Sequence, residues 1–273
     1  RDVERSRGLG DVYKRQVDAV VHFAAFSLVG ESMSDPAKYY RNNVAGTLSL
    51  LDAMLESGVK YLVFSSSAAT YGDTGDGLIT EDSPQRPTSV YGQTKLMMEQ
   101  FMSDYDKAYG MKYVALRYFN AAGAHRSGEI GEAHKPESHL IPIILQTALG
   151  QRSHIGIFGE DYPTRDGTGV RDYIHVVDLA KGHVLAIEKY NKPGLHVCNL
   201  GTGQGYSVLE LVHAFERVNG VKVKYEIKPR RAGDIATCYA DPTRAKEELG
   251  WVATRGIDEM CRDTWNFAKT RMK

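Results

Sequence analysis

The chain has 273 residues, 42% of them hydrophobic and 25% charged, which suits a globular protein with a substantial core. Lys+Arg and Asp+Glu each number 34, so the formal net charge is zero and nothing draws the chain as a whole towards nucleic acid or an anionic membrane. Three scattered cysteines (Cys198, Cys238, Cys261) form neither a CxxC pair nor a metal-ligating pattern, so no metal is expected and a reducing, cytoplasmic setting is the default. No apolar run approaches the roughly 20 residues that span a bilayer, and no secretory signal is recognisable.

Residues 1–16, RDVERSRGLGDVYKRQ, alternate charges and glycines and show neither a strand nor a helix period. From Val17, VDAVVHFAA predicts a buried strand, a β-branched run without alternation. Asp35-Pro36 then supplies an N-cap and an N1 proline for a helix to about Ser57, closed by Gly58. YLVFSSS, from Tyr61, reads as a second strand, and 72–89, rich in Gly, Pro, Asp and Thr, as a loop. Thr88 or Ser89 opens a helix that runs to Tyr109 and stops at Gly110. MKYVALRYFN (111–120) is the next strand, followed by a helix over about 140–150, a short strand at 155–158 and a helix over 176–190. LHVCNLG is a further strand, and Ser207 with Glu210 forms a capping box for a helix ending near Gly220. VKVKYEI (221–227) is read as a strand, Asp241-Pro242 opens another helix, and a last helix covers about 257–270.

Strands alternating with helices of this length predict an α/β fold, a doubly wound Rossmann-type parallel sheet covered on both faces. Ligands of such sheets bind beyond the carboxyl ends of the strands. Those ends, AAFS (24–27), SSS (65–67), YFNAAG (118–123) and NLGTGQG (199–205), carry the small and polar residues.

One constellation there carries chemistry. Tyr91 and Lys95 stand four apart at the start of a helix and project from one face. An ammonium beside a phenol favours phenolate, which would turn the tyrosine into a base for a sugar hydroxyl. Ser67, ending the preceding strand, can hydrogen-bond the same hydroxyl. With 16 tyrosines present, the Tyr-x-x-x-Lys spacing alone means little; its placement after a strand ending in SSS gives it weight.

HFAA (22–25), NNVAGT (42–47), FSSSAATYG (64–72), YGQTK (91–95), RYFNAAGAH (117–125), DGTGVRDYIHV (166–176) and PRRAGD (229–234) occur in an order and spacing that resemble the UDP-glucose 4-epimerase family of extended short-chain dehydrogenase/reductases. The resemblance runs from about Val17 to the end. It implies that residues 17–138 form the remainder of an NAD-binding Rossmann domain, that 172–201 return to it, and that 139–273 are mainly a smaller α/β domain for a UDP-sugar. It also implies that Tyr91 is the catalytic base, Lys95 the lysine on the nicotinamide ribose and Ser67 the hydroxyl that orients the sugar. Phe23, Ala24, Ala25, Ser27, Asn42, Ser65 and Tyr118 fall where the family contacts NAD, with Ser27 where some members carry a lysine. Asn120, His139, Leu140, Phe158, Arg171, Arg231 and Asp234 fall where it holds UDP, with His139 in place of an asparagine. The chemistry agrees: two arginines suit a diphosphate, Phe158 can stack on uracil, and Asp234 can accept from ribose hydroxyls.

The family's reaction is the interconversion of UDP-glucose and UDP-galactose, by reversible hydride transfer to tightly bound NAD through a 4-keto sugar. Ala68 and Ala69 stand where dehydratase and decarboxylase relatives carry acid/base groups, which favours epimerisation. Cys238 flanks the family's sugar pocket; as a small residue it leaves room for UDP-N-acetyl sugars, or it is simply a small buried residue. A homodimer built on helices at about 36–57 and 88–109 is implied as well.

The large departure is the absence of a strand, glycine-rich turn and helix at the start, which leads us to expect that residues 1–16 are a non-family leader on a truncated frame. Weak NAD binding, an exposed sheet edge and aggregation are expected on that ground. The alternative is an inactive fragment or nucleotide-sugar-binding paralogue without turnover, against which the intact Ser67–Tyr91–Lys95 set argues.

Overall fold

A computed structural model describes residues 17–75, 77–134, 137–189, 194–231 and 234–271, so the leader lies outside the described residues. In chain order the first elements are β1 (Val20–His22), α1 (Val29–Ser34), α2 (Pro36–Tyr39), a π-helical segment at Tyr40–Ala45, α3 (Gly46–Glu56) and β2 (Tyr61–Ser65). A 3-10 turn at Ala68–Thr70, β3 (Leu78–Ile79), α4 (Val90–Tyr109), β4 (Lys112–Tyr118) and β5 (Asn120–Ala122) follow. The rest comprises α5 (Leu140–Ala148), β6 (Ile155–Phe158), β7 (Val170–His175), α6 (Val176–Lys189), β8 (Gly194–Leu200), β9 (Gly205–Ser207), α7 (Val208–Asn219), β10 (Tyr225–Lys228), β11 (Thr237–Ala240), a π-helical segment at Ala245–Leu249 and α8 (Ile257–Arg271).

β1, β2, β4 and β8 form a wholly parallel sheet in that order. Alternate residues enter different layers, as strand geometry requires. Leu62, Phe64, Tyr113 and Ala115 pack with Leu51, Met54, Met98, Met102 and Met111 of the α3–α4 side. Val63, Val114 and Leu116 face Leu179, Ala186, Leu249 and Trp251 on the other. Burying each of these large side chains contributes roughly 1.5–3 kcal/mol, so both faces must be covered and the doubly wound arrangement follows. A second sheet, β3-β11-β7-β5, takes β9 antiparallel on β7, and β6 pairs in parallel with β10. Around these, α5, α7 and α8 enclose a separate apolar cluster that includes Ile144, Ile155, Leu211, Phe215 and Met260.

The expected strands and helices are present, with informative differences. VDAVVHFAA is paired only over Val20–His22, because residues 23–27 leave the sheet to form its rim. MKYVALRYFN breaks at Phe119: β4 stays in the first sheet, while Asn120 starts a strand paired with β7. The loop expected at 72–89 contains β3, and the strand expected at 221–227 is Tyr225–Lys228. The helix opened by Asp241-Pro242 is a short turn, stopped by Gly250 at φ 67. Tyr190, the expected end of α6, lies outside the described residues. No helix among the described residues is long and apolar enough to cross a membrane.

Candidate active site and nucleotide cavity

Because the first sheet is parallel, the carboxyl ends of its four strands share one edge, and the expected site residues gather there. Ser89 caps α4, its side chain accepting from the Gly92 amide at 3.1 Å. The Tyr91 amide donates to Ser32 Oγ, also at 3.1 Å, and Ser32 is fully buried. These two serines satisfy N–H groups that a helix start leaves without intrahelical partners. Tyr91 is thereby held in a rigid first turn. Gly92 has a distinct role: a Cβ there would lie 2.3 Å from the Ala69 carbonyl oxygen. Only glycine lets α4 approach the turn that carries Ser67.

Ser67, two residues beyond β2, is extended, caps the turn at Ala68–Thr70 and accepts from the Ala69 amide at 3.1 Å. Its hydroxyl lies close enough to the Tyr91 phenol to favour the ionised form. Lys95, 3% exposed, donates from Nζ to the Ser65 carbonyl at 2.7 Å and sits 4.8 Å from the Phe64 ring centroid. Its Nζ is 5.9 Å from the Tyr91 ring centroid. Ser65 Oγ and Tyr118 OH are 2.8 Å apart. The three expected catalytic residues therefore converge.

The electrostatics correct one expectation. Lys95 was expected to pull the Tyr91 phenol down, but burial pushes that phenol up, Tyr118 adds to the rise, and only Ser67 opposes it. The physical reason is that Lys95 is directed at the Ser65 carbonyl rather than at the phenol. Burial lowers the Lys95 ammonium itself to about 8, with Glu99 opposing the fall.

Beneath this centre lies a buried polar chain that sequence reasoning missed. Ser66 Oγ donates to Glu99, which holds Arg117 through bonds of 2.6 and 3.0 Å; Arg117 also donates to Tyr71 OH at 2.9 Å. Tyr71 in turn donates to Asn199 at 2.7 Å. The chain ties β2, α4, β4 and β8 together directly behind Ser65–Ser67. A signal was available: Glu99 stands one helical turn beyond Lys95, on the same face.

The expected cofactor positions lie along the same edge. Phe23 is 60% exposed and rests 4.8 Å from the His183 ring, whose Nε2 is buried without a partner among the described residues. Ala24 and Ser27 are exposed, and Ala25 is half-buried. Asn42 is exposed and donates to Asn43 at 3.0 Å. Asn43, which was not singled out, is fully buried and bonds both the amide and the carbonyl of Phe26, fixing the path of the rim.

Asn120, His139, Leu140, Phe158, Arg171, Arg231 and Asp234 all line one cavity of about 700 Å³. Arg231 stacks on Phe158 at 4.5 Å and pairs with Asp234 at 2.8 Å. Arg171 donates to the Val170 carbonyl at 2.8 Å, and Asn120 to that of Asp172 at 2.9 Å. The same walls carry Arg152, His154 and Lys228, basic residues the motif comparison passed over. Ser67 and Cys238 are not among the lining residues. Cys238, paired in register with Arg171, is buried with Tyr71, Ile79 and Phe119, and Ala68 packs against this group. Burial pushes its thiol up to about 11, so it stays protonated.

The chain matches the family described as GDP-mannose 4,6 dehydratase over residues 2–264. It is 54% identical over 262 residues to a UDP-glucose 4-epimerase of Bacillus subtilis, covering 95% of this chain and 77% of that protein. The Haemophilus influenzae UDP-glucose 4-epimerase is 51% identical, with 95% and 78% covered. Among solved structures, the Stenotrophomonas maltophila UDP-glucose 4-epimerase with bound NAD and formylated UDP-arabinopyranose superposes with a TM-score of 0.92 at 46% identity, covering 98% of this chain and 82% of that one. The UDP-Glc/GlcNAc 4-epimerase of Campylobacter jejuni matches at TM-score 0.81 and 37% identity, with 99% and 83% covered. The chain belongs to the UDP-glucose 4-epimerase family of extended short-chain dehydrogenase/reductases.

Proposed function

We propose that the protein interconverts UDP-glucose and UDP-galactose by epimerisation at C4, using NAD. The observation that carries this reading is the convergence of Ser67, Tyr91 and Lys95 at the strand edge without any acid/base group at Ala68 or Ala69.

The rim fits a dinucleotide. Exposed Phe23 and Ala24 offer an apolar border, the partnerless His183 Nε2 lies beside it, and Lys95, Ser65 and Tyr118 supply polar groups. When bound, NAD supplies the hydride acceptor that returns the hydride later, together with a cationic ring. Tyr91 Oη takes the proton of the sugar 4-hydroxyl and returns it after the 4-keto sugar has turned over. Its burial makes it a reluctant acid on its own, and the cationic ring of bound NAD would be what favours the phenolate. Ser67 hydrogen-bonds the same reacting hydroxyl and eases the transfer. UDP is gripped in the 700 Å³ cavity by Arg171 and Arg231, with Phe158 against the base. Affinity placed on the nucleotide leaves the sugar free to rotate.

UDP-glucose deuterated at C4 tests this: the label should appear at C4 of UDP-galactose undiluted, whereas exchange with solvent would exclude the hydride route. Cys238 extends the reading to N-acetylated UDP-sugars, because a small thiol stands beside Ala68. Cys238→Tyr should then cut turnover of UDP-N-acetylgalactosamine at least tenfold and spare UDP-galactose; equal loss of both would reject the extension. The rest of the reading is a homodimer through the α3 and α4 region, a Rossmann domain over 17–138 with 172–201, and a UDP-sugar domain over 139–273. Three buried cysteines suit a cytoplasmic setting.

A further inference from the structure

We propose that Glu132, His134, Glu137 and His139 form a divalent-metal site, best suited to zinc, on the loop that leads into α5. One donor atom from each of the four lies within 4.8 Å of all the others. A tetrahedral zinc with ligands at roughly 2.0–2.2 Å holds its donors about 3.3–3.6 Å apart. Closing the cluster onto an ion therefore asks for small movements of side chains, two of which are exposed.

The chemistry of the set is selective. Two imidazoles with two carboxylates suit zinc, whereas magnesium and calcium prefer oxygen ligands throughout. Glu137 is 9% exposed, and its Oε1 is fixed by the Ser138 amide at 2.8 Å and the His139 amide at 3.1 Å. Such outer hydrogen bonds are what orient a ligating carboxylate. His134 and His139 both turn Nδ1 to the same oxygen of Glu132, His134 at 2.9 Å. Their rings stand 5.7 Å apart and nearly perpendicular. Among the described residues no lysine or arginine pairs with either carboxylate.

No metal was expected from the cysteine pattern; histidines carry this site instead, in a Glu-x-His-x-x-Glu-x-His run. His139 also lines the nucleotide cavity, next to Leu140 at the start of α5. The ion would pin that wall of the cavity, a structural role separate from the Ser67–Tyr91–Lys95 centre.

The test uses the full chain, tag-free and stripped of metal, titrated calorimetrically with Zn²⁺ and spectroscopically with Co²⁺. One Zn²⁺ per chain, a rise in Tm with Zn²⁺, and visible absorption of tetrahedral Co²⁺ are expected. Glu132→Gln and His134→Ala should each weaken Zn²⁺ binding at least tenfold with unchanged circular dichroism. Absence of one-to-one binding by the wild-type chain, or undiminished affinity in both variants, would overturn the proposal. Should either variant fail to fold, the wild-type titrations decide.

Discussion

Lys95 shows what a buried ammonium costs the fold. Its ammonium is buried against the Ser65 carbonyl and lowered from 10.5 to about 8. Between those values the unfolded chain holds a proton that the folded chain does not, so this residue makes stability rise with pH across that window. Below about pH 8 the buried cation opposes folding by on the order of 3 kcal/mol. Lys95→Met removes that opposition and one hydrogen bond worth about 1 kcal/mol. We expect the variant to lose epimerase activity without losing Tm. In urea unfolding, its advantage over wild type should shrink between about pH 7 and about pH 10. An advantage independent of pH would contradict the assignment. Tyr91 and Lys95 were legible from spacing and strand context, but the direction of the phenol shift was not. That direction depends on burial and on where Nζ points, neither of which a sequence displays.

At the scale of elements, the site depends on α4 meeting the turn at Ala68–Thr70. Gly92 is the residue that permits it, since a methyl group would strike the Ala69 carbonyl. Gly92→Ala should therefore lower kcat at least tenfold while UDP affinity, which we propose to reside in the 700 Å³ cavity, changes less than twofold; kinetics and UDP titration check it. Equal loss of both would indicate general unfolding instead. Replacing Ser89, whose cap orders the same turn, should cost about 1 kcal/mol.

Helix boundaries were readable because their chemistry is local: Ser89 and Gly110 bracket α4, and both halves of the Ser207–Glu210 capping box are present. β7 and β11 were not readable. VRDYIH carries Arg171 and the buried Asp172, whose carboxylate accepts from the Thr202, Gly203 and Ala240 amides. Polar residues that the site needs erase the apolar pattern by which a buried strand is recognised. The break at Phe119 was hidden for a different reason, since one continuous apolar run serves two sheets in turn.

At the scale of the molecule, the strand-edge centre and the 700 Å³ cavity are joined by the strands themselves. β4 ends at Tyr118 beside Ser65, and β5 begins at Asn120 on the wall of that cavity. The chain spans 77% of the Bacillus subtilis relative's length. The dimer proposed through α3 and α4 predicts twice the chain mass by light scattering, and a monomer at micromolar concentration would remove it.

The most direct measurement of the central claim compares wild type with Tyr91→Phe in the conversion of UDP-galactose, with NAD supplied and UDP affinity measured alongside. UDP-glucose is the expected product, with a loss of about 10²–10⁴-fold in kcat for the variant and UDP binding intact. Turnover that survives the loss of the Tyr91 hydroxyl would contradict it, as would a wild-type chain that binds both ligands and converts nothing.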